Sequence, residues 1–184
     1  MSKSNCFQLC HDRVKLQGDG SIMITVREFR SDDAPECSVV QFESFKSFLK
    51  ERMEYSAPRP AEFWEQSMRR NCSDDFENIT FVAEKDGRVI GFISITAALK
   101  RRLGTLVRIG VLPECAGGGV GRMLFEAAEK FWKERNMRKI ATCVSSINPT
   151  ALKFYQRCGF HVEGILKDHF FEKVDEYQLA KFYR

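Results

Sequence analysis

The chain has 184 residues, of which 43% are hydrophobic and 29% charged, and its formal net charge is +4. This length and composition are typical of one globular domain with a sizeable core. No apolar run approaches the ~20 residues that a membrane-spanning helix needs, and residues 1–20 contain no signal-peptide core. The sequence therefore predicts a cytoplasmic protein without a membrane partner.

The charge pattern and the cysteines argue against three further classes of protein. The densest basic cluster is residues 100–102, between predicted strands, so no nucleic-acid partner is expected. The seven cysteines are odd in number and scattered, which argues against a disulfide framework. Cys6, Cys10 and His11 lack a second ligand cluster at zinc-site spacing. No metal site is predicted.

The predicted elements follow an N-terminal extension, residues 1–20, for which little order is expected. Strands are predicted where β-branched and aromatic residues concentrate, over 22–29, 79–84, 89–96, 105–111, 139–144, 160–166 and 176–182. Helices are predicted where apolar residues recur at helical spacing. The first begins at about residue 34 and ends at the break at 55–60, and the second covers 61–70. The third extends from the glycine-rich turn to about 135, and the fourth from 148 to 159. The loop before the last strand is predicted to hold Asp168, His169, Phe170 and Phe171. Residues 21–184 are thus predicted to form one α/β domain, a mixed, mostly antiparallel sheet of six to seven strands flanked by about four helices.

The most informative stretch is the turn Ala116-Gly117-Gly118-Gly119-Val120-Gly121, between a predicted strand and a predicted helix. Glycines let the main chain approach a ligand closely and turn successive N–H groups the same way. The helix start adds unpaired N–H groups and a partial positive charge. The turn therefore predicts a site for a phosphate or a pyrophosphate.

Three kinds of glycine-rich phosphate site compete for this turn. A nucleoside-triphosphate loop needs Lys and then Ser or Thr after its last glycine, but Arg122 and Met123 follow Gly121. A dinucleotide fold needs G-x-G-x-x-G and an acidic residue at the end of the next strand. Leu124 breaks the first requirement, and residues 143–145 contain no acid. The third kind is the acyl-coenzyme A site.

Two motifs resemble those of the GNAT superfamily of acetyl-CoA-dependent N-acetyltransferases. Residues 111–122 resemble the pyrophosphate-binding motif of that family, which is Arg or Gln, two residues, Gly, one residue, then Gly or Ala. Gly119 and Gly121 stand at its glycine positions. Residues 148–155, Asn-Pro-Thr-Ala-Leu-Lys-Phe-Tyr, followed by Gly and Phe at 159–160, resemble the second signature of the family. The two motifs stand in the family's order and at its separation.

The resemblance, which covers residues 22–184, implies transfer of an acetyl group from acetyl-CoA to a primary amine, on a small molecule or a peptide N-terminus. The transfer would be direct, in a ternary complex without an acyl-enzyme. Main-chain N–H groups would bind the CoA pyrophosphate, a strand edge would pair with the pantetheine amides, and Tyr155 would be the general acid that protonates the departing thiolate. The implied cofactor-binding residues are Ile109, Gly110, Val111, Ala116, Gly117, Gly118, Gly119, Val120, Gly121, Arg122, Asn148 and Tyr155.

The sequence departs from the family's pattern at two places. Ala116 stands where the family has Arg or Gln, which removes one side-chain donor near the phosphates. Some relatives carry a glutamate base on one of two central strands, and in the branch that acetylates the N-terminal alanine of a ribosomal protein it falls at Cys143. No carboxylate stands on either strand here. The proton would then pass to ordered water, Asp168 or Glu84.

A site with a weak base favours an acceptor amine of low pKa. At pH 7, on the order of a tenth of α-amino groups are unprotonated, but under about a thousandth of lysine side chains. The sequence therefore predicts a peptide N-terminus, an aminoglycoside-like sugar or an amino acid as acceptor. The residues predicted to form the acceptor pocket are Tyr55, Phe63, Trp64 and Phe170.

Several alternatives remain open at this point. The protein would be a non-catalytic acyl-CoA sensor if Tyr155 had no chemical role, or a structural protein if the glycine turn bound no ligand. The sequence also leaves open whether the donor is acetyl-CoA or a slightly longer acyl-CoA. It leaves open as well whether the protein is a monomer or a homodimer.

Overall fold

The computed structural model describes residues 23–49 and 58–183. Within them lie eight strands: β1 Ile24–Glu28, β2 Asn71–Cys72, β3 Phe76–Lys85, β4 Arg88–Ala98, β5 Leu103–Val111, β6 Lys139–Ser145, β7 His161–Phe171 and β8 Val174–Phe182. The α-helices of the same residues are α1 Ala34–Leu49, α2 Ala61–Met68, α3 Val120–Glu134 and α4 Pro149–Arg157.

The strands form one sheet in the order β1-β3-β4-β5-β6-β8-β7, with β2 paired to β3 off this path. Every pairing is antiparallel except that of β5 with β6. A parallel pair needs a crossover connection, and α3 supplies it. The predicted mixed, mostly antiparallel sheet with four helices is confirmed. The two-residue strand β2 is the one addition that the sequence pattern did not predict.

The helices cover both faces of the sheet. Phe81 on β3 packs edge-to-face against Phe131 on α3, with ring centroids 6.3 Å apart, so α3 lies on one face. Gly110 on β5 lies beneath α1, because a Cβ at Gly110 would come within 2.7 Å of Ser44 Oγ. Helix α2 packs beside α1, and α4 packs on β6. We call the side with α1 and α2 the α1/α2 face and the side with α3 and α4 the α3/α4 face.

Helix α3 holds the centre of the core. Its apolar stripe is buried against the sheet, as its 3.6-residue spacing predicts; the buried residues are Val120, Met123, Leu124, Phe125, Ala128, Phe131 and Trp132. The indole Nε1 of Trp132 donates to the main-chain oxygen of Thr96 at 2.9 Å, so the one polar atom of this large side chain is satisfied. The helix is thereby fixed over the middle strands, and its first turn is fixed with it.

The predicted loop before the last strand is wrong. Strand β7 runs through Asp168, His169, Phe170 and Phe171 and ends in a pair between Phe171 and Val174. The ladder changes register between Leu166 and Phe171, and Asp168 has a φ of 53°. An irregularity inside a strand absorbs residues that are typical of loops without ending the pairing.

Several other boundaries also differ from the prediction. Strand β3 begins at Phe76, three residues before the predicted start, and α2 ends at Met68, because Arg69 has an extended ψ of 136°. The predicted extension 1–20 and the predicted pocket residue Tyr55 lie outside the described residues. Among the helices that the structure describes, none has both the length and the apolar character to cross a membrane.

Candidate functional site

The central feature of the site is a gap between β5 and β6. The two strands pair only over Leu103–Thr105 and Lys139–Ala141. Beyond that point the edge of β5 from Leu106 to Val111 faces the gap, with no strand beside it. Such an edge can pair with the amides of an extended ligand. The predicted residues Ile109, Gly110 and Val111 all lie along it.

Thr142 marks the closed end of the gap. It directly follows the last parallel pair, and its hydroxyl donates to the main-chain oxygen of Leu106 at 3.0 Å. Thr142 is buried, so this hydrogen bond is shielded from water. It joins the two strands at the point from which they diverge.

The glycine turn lies at the open end of the gap, directly after β5. Gly117 and Gly119 have φ angles of 82° and 84°, a conformation that glycine adopts without strain. Gly119 is the N-cap of α3. The main-chain N–H groups of Gly117, Gly119, Val120 and Gly121 donate to no acceptor among the residues that the structure describes. The predicted anion-binding turn therefore has donors available for a phosphate group.

Gly121 connects the turn to α4. A Cβ at Gly121 would lie 3.3 Å from Cε2 of Phe154, which is closer than most side chains tolerate. The absence of a side chain lets the first turn of α3 pack directly on α4. Tyr155 follows Phe154 in α4, so this packing holds the glycine turn and Tyr155 at one site.

Tyr155 lies at the closed end of the gap. It is 5% exposed and packs between Phe154 and Phe160, with ring centroids 5.5 and 5.6 Å away. Burial raises the pKa of its phenol to about 12, and the hydroxyl of Thr142 beside it partly offsets that rise. The phenol therefore stays protonated throughout the neutral pH range. A protonated, buried hydroxyl is what a proton or hydrogen-bond donor to a ligand needs.

Three other predicted cofactor residues have local structural partners. The side-chain oxygen of Asn148 accepts from the main-chain N–H of Ala151 at 3.1 Å and caps α4. Arg122 donates to Glu126 one turn further along α3, which raises the pKa of its guanidinium. Ala116 is exposed. Asn148 therefore positions the helix that carries Tyr155, and Arg122 stands in the first turn of α3.

Glu176 is a functional candidate that the sequence reasoning missed. It lies on β8 opposite Ser145 of β6 and is 4% exposed. Burial raises the pKa of its carboxyl group, and the neighbouring Ser145 hydroxyl and His169 partly offset that rise. Cys143 lies near both Glu176 and Tyr155. The charge of Glu176 adds to the effect of burial in raising the pKa of the Cys143 thiol. Cys143 in turn contributes to the raised pKa of the Tyr155 phenol.

The strand pattern places Glu176 on the α1/α2 face. The Thr142 hydroxyl lies beside Tyr155, so the Thr142 side chain is on the α3/α4 face. Side chains alternate between the two faces along a strand, so those of Cys143 and Ser145 are on the α1/α2 face. Directly paired residues share a face of a sheet, so Glu176 shares that of Ser145. The buried phenol and the buried carboxyl therefore lie on opposite faces of the sheet, with Cys143 of β6 near both. No local motif surrounds Glu176, and only the pairing of β6 with β8 reveals it.

The two carboxylates that the sequence suggested as proton acceptors have other partners. Glu84 Oε2 accepts from Nε and Nη2 of Arg27 at 2.8 and 2.6 Å. Asp168 accepts from the main-chain N–H of Lys173 within the β7–β8 hairpin. Both carboxylates therefore hold local structure, and Glu176 is the better-placed carboxyl group.

The predicted acceptor-pocket aromatics are divided between two regions. Phe63 is 42% exposed and Trp64 4% exposed, and their rings meet edge-to-face on α2. Phe170 is 66% exposed on β7, beside His169. The guanidinium carbon of Arg108 lies over the Trp64 ring, 5.2 Å from the ring centroid. Arg108 lies on β5, two residues after Leu106, and sequence reasoning gave it no role.

A glycine turn at the open end of a gap between strands, with a buried tyrosine at the closed end, defines the class of acyl-CoA-dependent transferases. Comparison with known proteins agrees. The acetyltransferase (GNAT) family model matches residues 42–160. The chain therefore belongs to the GNAT family of acetyltransferases, whose acyl donor is acetyl-CoA.

Several proteins illustrate the similarity. An uncharacterized N-acetyltransferase of Methanocaldococcus jannaschii is 26% identical over 148 residues, 78% of this chain and 63% of the relative. The streptothricin acetyltransferase of Streptomyces lavendulae is 35% identical over 94 residues, 50% of this chain and 49% of the relative. The chain thus spans less than two thirds of either relative. The paia N-acetyltransferase of Thermoplasma acidophilum, solved in complex with coenzyme A, has the same fold with a TM-score of 0.66 and 22% identity, covering 88% of this chain and all of that one.

Proposed function

We propose that this protein transfers the acetyl group of acetyl-CoA directly to a primary amine of low pKa. The observation that carries the proposal is the position of Tyr155, whose buried hydroxyl lies beside Thr142 at the closed end of the gap. In the described sheet, β5 and β6 pair over three residue pairs and then leave their facing edges unpaired.

The cofactor binds along the gap. The main-chain N–H groups of Gly117, Gly119, Val120 and Gly121 bind the pyrophosphate, and the partial positive charge at the start of α3 adds to their attraction. The edge of β5 from Ile109 to Val111 pairs with the pantetheine amides. This geometry points the thioester toward the closed end. The guanidinium of Arg122 adds a positive charge near the phosphates, and Asn148 holds α4 in place.

The reaction is an acyl transfer in one ternary complex. The lone pair of the amine attacks the thioester carbon, the C–S bond breaks, and its electron pair passes to sulfur. Tyr155 donates its proton toward that sulfur. A phenol with a pKa of about 12 is a weaker acid than a thiol, for which the pKa is ~8.5. A hydrogen bond to the developing thiolate, more than complete proton transfer, therefore lowers the barrier.

Glu176 accepts the proton that the amine releases. Its carboxyl lies on the α1/α2 face of the sheet, the face opposite to that of the phenol, and burial raises its pKa. A carboxylate with a raised pKa is a stronger base than an ordinary exposed one. Because a lysine amine is almost fully protonated at neutral pH, an amine of low pKa remains the better acceptor.

Turnover of acetyl-CoA against amines graded by pKa tests the proposal. We expect α-amino compounds to react faster than lysine side chains, by roughly the ratio of their unprotonated fractions, ~10² at pH 7. Acetyl-CoA is expected to raise the melting temperature, as any ligand of the folded state does. A preference for high-pKa lysines would contradict the acceptor class. Stabilisation by acetyl-CoA without turnover of any amine would instead favour the non-catalytic sensor.

A further inference from the structure

A single hydroxyl stands in the middle of the buried face of β6. Ile140, Thr142 and Val144, which alternate along the strand, are all buried. Lys181 pairs with Ile140, and its ammonium bonds Glu129 of α3. Because paired residues share a face of a sheet, these side chains lie on the α3/α4 face. Thr142 is therefore a polar residue between two apolar ones, on the face that carries Tyr155.

The hydrogen of this hydroxyl already has an acceptor. A carbonyl oxygen can only accept, so Thr142 is the donor in its 3.0 Å hydrogen bond to Leu106. A hydroxyl has one hydrogen and two lone pairs. While the bond to Leu106 stands, Thr142 can therefore act only as an acceptor toward the phenol of Tyr155, which lies beside it.

The bond to Leu106 stands where the strand pairing stops. Thr105 and Ala141 form the last parallel pair, and Leu106 is the first residue of β5 beyond it. Leu106 is 2% exposed, so its main-chain oxygen needs a partner inside the protein. The threonine supplies this partner with a hydroxyl that can turn about its C–O bond. The free edge of β5 begins at the same residue, so an N–H of a bound ligand can take the place of the threonine hydrogen.

We propose that Thr142 is a positioning residue whose hydroxyl changes partner during turnover, from the Leu106 oxygen to the phenol oxygen of Tyr155. The inference rests on the proposed transferase function and deepens it. As the C–S bond breaks, its electron pair passes to sulfur, and Tyr155 directs its O–H toward that sulfur. Thr142 then donates to the phenol oxygen, and no proton leaves the threonine.

Two donors in series stabilise the departing sulfur better than one. Hydrogen bonds in a chain polarise one another, so a donor to the phenol oxygen makes the phenol O–H a stronger donor itself. The effect is larger where water is excluded, and Thr142 and Tyr155 are each only 5% exposed. We therefore expect Thr142 to act on the chemical step through Tyr155 and to leave cofactor binding largely unchanged.

A double-mutant cycle tests the proposal. Thr142→Val replaces the hydroxyl by a methyl group of similar size. We expect kcat for acetyl transfer to fall by about tenfold, the worth of one hydrogen bond, with little change in KM for acetyl-CoA. In the Tyr155→Phe background the same substitution should change kcat by less than about twofold, because the group through which Thr142 acts is absent.

Three further variants serve as controls. Thr142→Ser keeps the hydroxyl and should restore kcat to nearly the wild-type value. Thr142→Ala supplies the same comparison if Thr142→Val does not fold. Thr80 is buried on β3, two strands from β5, and its hydroxyl bonds that of Ser94 at 2.9 Å. Thr80→Val should therefore lower the melting temperature as Thr142→Val does, without the tenfold loss of kcat.

The outcomes separate the change of partner from a purely structural role. An equal fall of kcat in the wild-type and Tyr155→Phe backgrounds would overturn the proposal, and so would a fall of similar size for Thr80→Val. Wild-type kcat in folded Thr142→Val would overturn it as well. In each of these cases, turnover of amines by the wild-type protein leaves the transferase function standing. Absence of that turnover would overturn the function, and the role of Thr142 with it.

Discussion

The Thr142 hydroxyl donates to the main-chain oxygen of Leu106 at 3.0 Å, across the point where β5 and β6 part. The bond ties two strands that are parallel for three residue pairs and then diverge. The same hydroxyl lies beside the phenol of Tyr155. One threonine therefore fixes both the origin of the cofactor gap and the position of its proposed acid.

Replacing Tyr155 by Phe separates catalysis from cofactor binding. We expect kcat to fall by on the order of 10²-fold or more, the usual worth of a positioned acid, with the Kd for CoA unchanged. Steady-state kinetics and calorimetric titration measure the two quantities. Tyr183→Phe is the control, because it also loses a hydroxyl, a half-buried one that donates to Glu129 at 3.0 Å and lies away from the glycine turn and Tyr155. Full activity in Tyr155→Phe would contradict the assignment.

Replacing Glu176 by Gln tests the proposed base. We expect kcat/KM to fall by on the order of 10²-fold. In wild type, protonation of the Glu176 carboxylate lowers activity at acid pH, and this decline should be absent from the variant. The variant should also be more stable than wild type at pH 7, because burial disfavours the charged form of Glu176. Glu163→Gln, at an exposed residue paired with Lys139, is the control. Loss of both activity and stability would indicate a merely structural role for Glu176.

The raised pKa of Tyr155 predicts a stability loss in alkali. The unfolded phenol releases its proton above pH 10, whereas the folded phenol keeps it until about pH 12. The unfolded state then binds fewer protons, so stability falls as pH rises through this window. Two units of pKa correspond to about 2–3 kcal/mol. Urea unfolding at pH 9 and pH 11.5 should show a smaller loss of unfolding free energy for Tyr155→Phe than for wild type. Equal losses would show that Tyr155 does not cause the alkaline destabilisation.

The glycine turn is tested by a pair of alanine variants. Gly119 and Gly87 both have positive φ, 84° and 78°, and a Cβ at either would meet no atom within 4 Å. Each alanine should destabilise the fold by about 1–2 kcal/mol, the cost of a left-handed conformation. Gly119→Ala should in addition raise the Kd for CoA by about tenfold, or ~1.4 kcal/mol, because the N–H donors shift. Equal CoA affinity in the two variants would argue against binding at the turn.

Arg27 is expected to be a stability determinant away from the site. Its guanidinium bonds both oxygens of Asp33, at 2.7 and 2.8 Å, and also bonds Glu84. Asp33 is 7% exposed, so Arg27→Ala would leave a buried charge unpaired and cost about 3–5 kcal/mol. Arg69→Ala, which breaks an exposed pair with Glu65, should cost under about 1 kcal/mol. Urea midpoints measure both, and similar losses would show that burial does not set the cost.

Local patterns determined most of the fold. The helical spacing of α3, the β-rich runs of β3 to β6 and the glycine turn each depend on residues a few positions apart, and all of them are confirmed as elements. The extent of β7 was beyond such reasoning, because its register shift depends on β8 and not on the residues at 168–171 themselves.

The amino-acid sequence by itself thus determined the family, the glycine turn and the signature that carries Tyr155, because each is a short motif read within one segment. The tertiary structure alone decided which side chains face the gap. Thr142 meets Leu106 from 36 positions away, Glu176 reaches the same region only through the pairing of β8 with β6, and a bulge against β4 sets the register of Arg108. Sheet register sets the face of every side chain on a strand, and register between distant segments is fixed only when the whole sheet assembles.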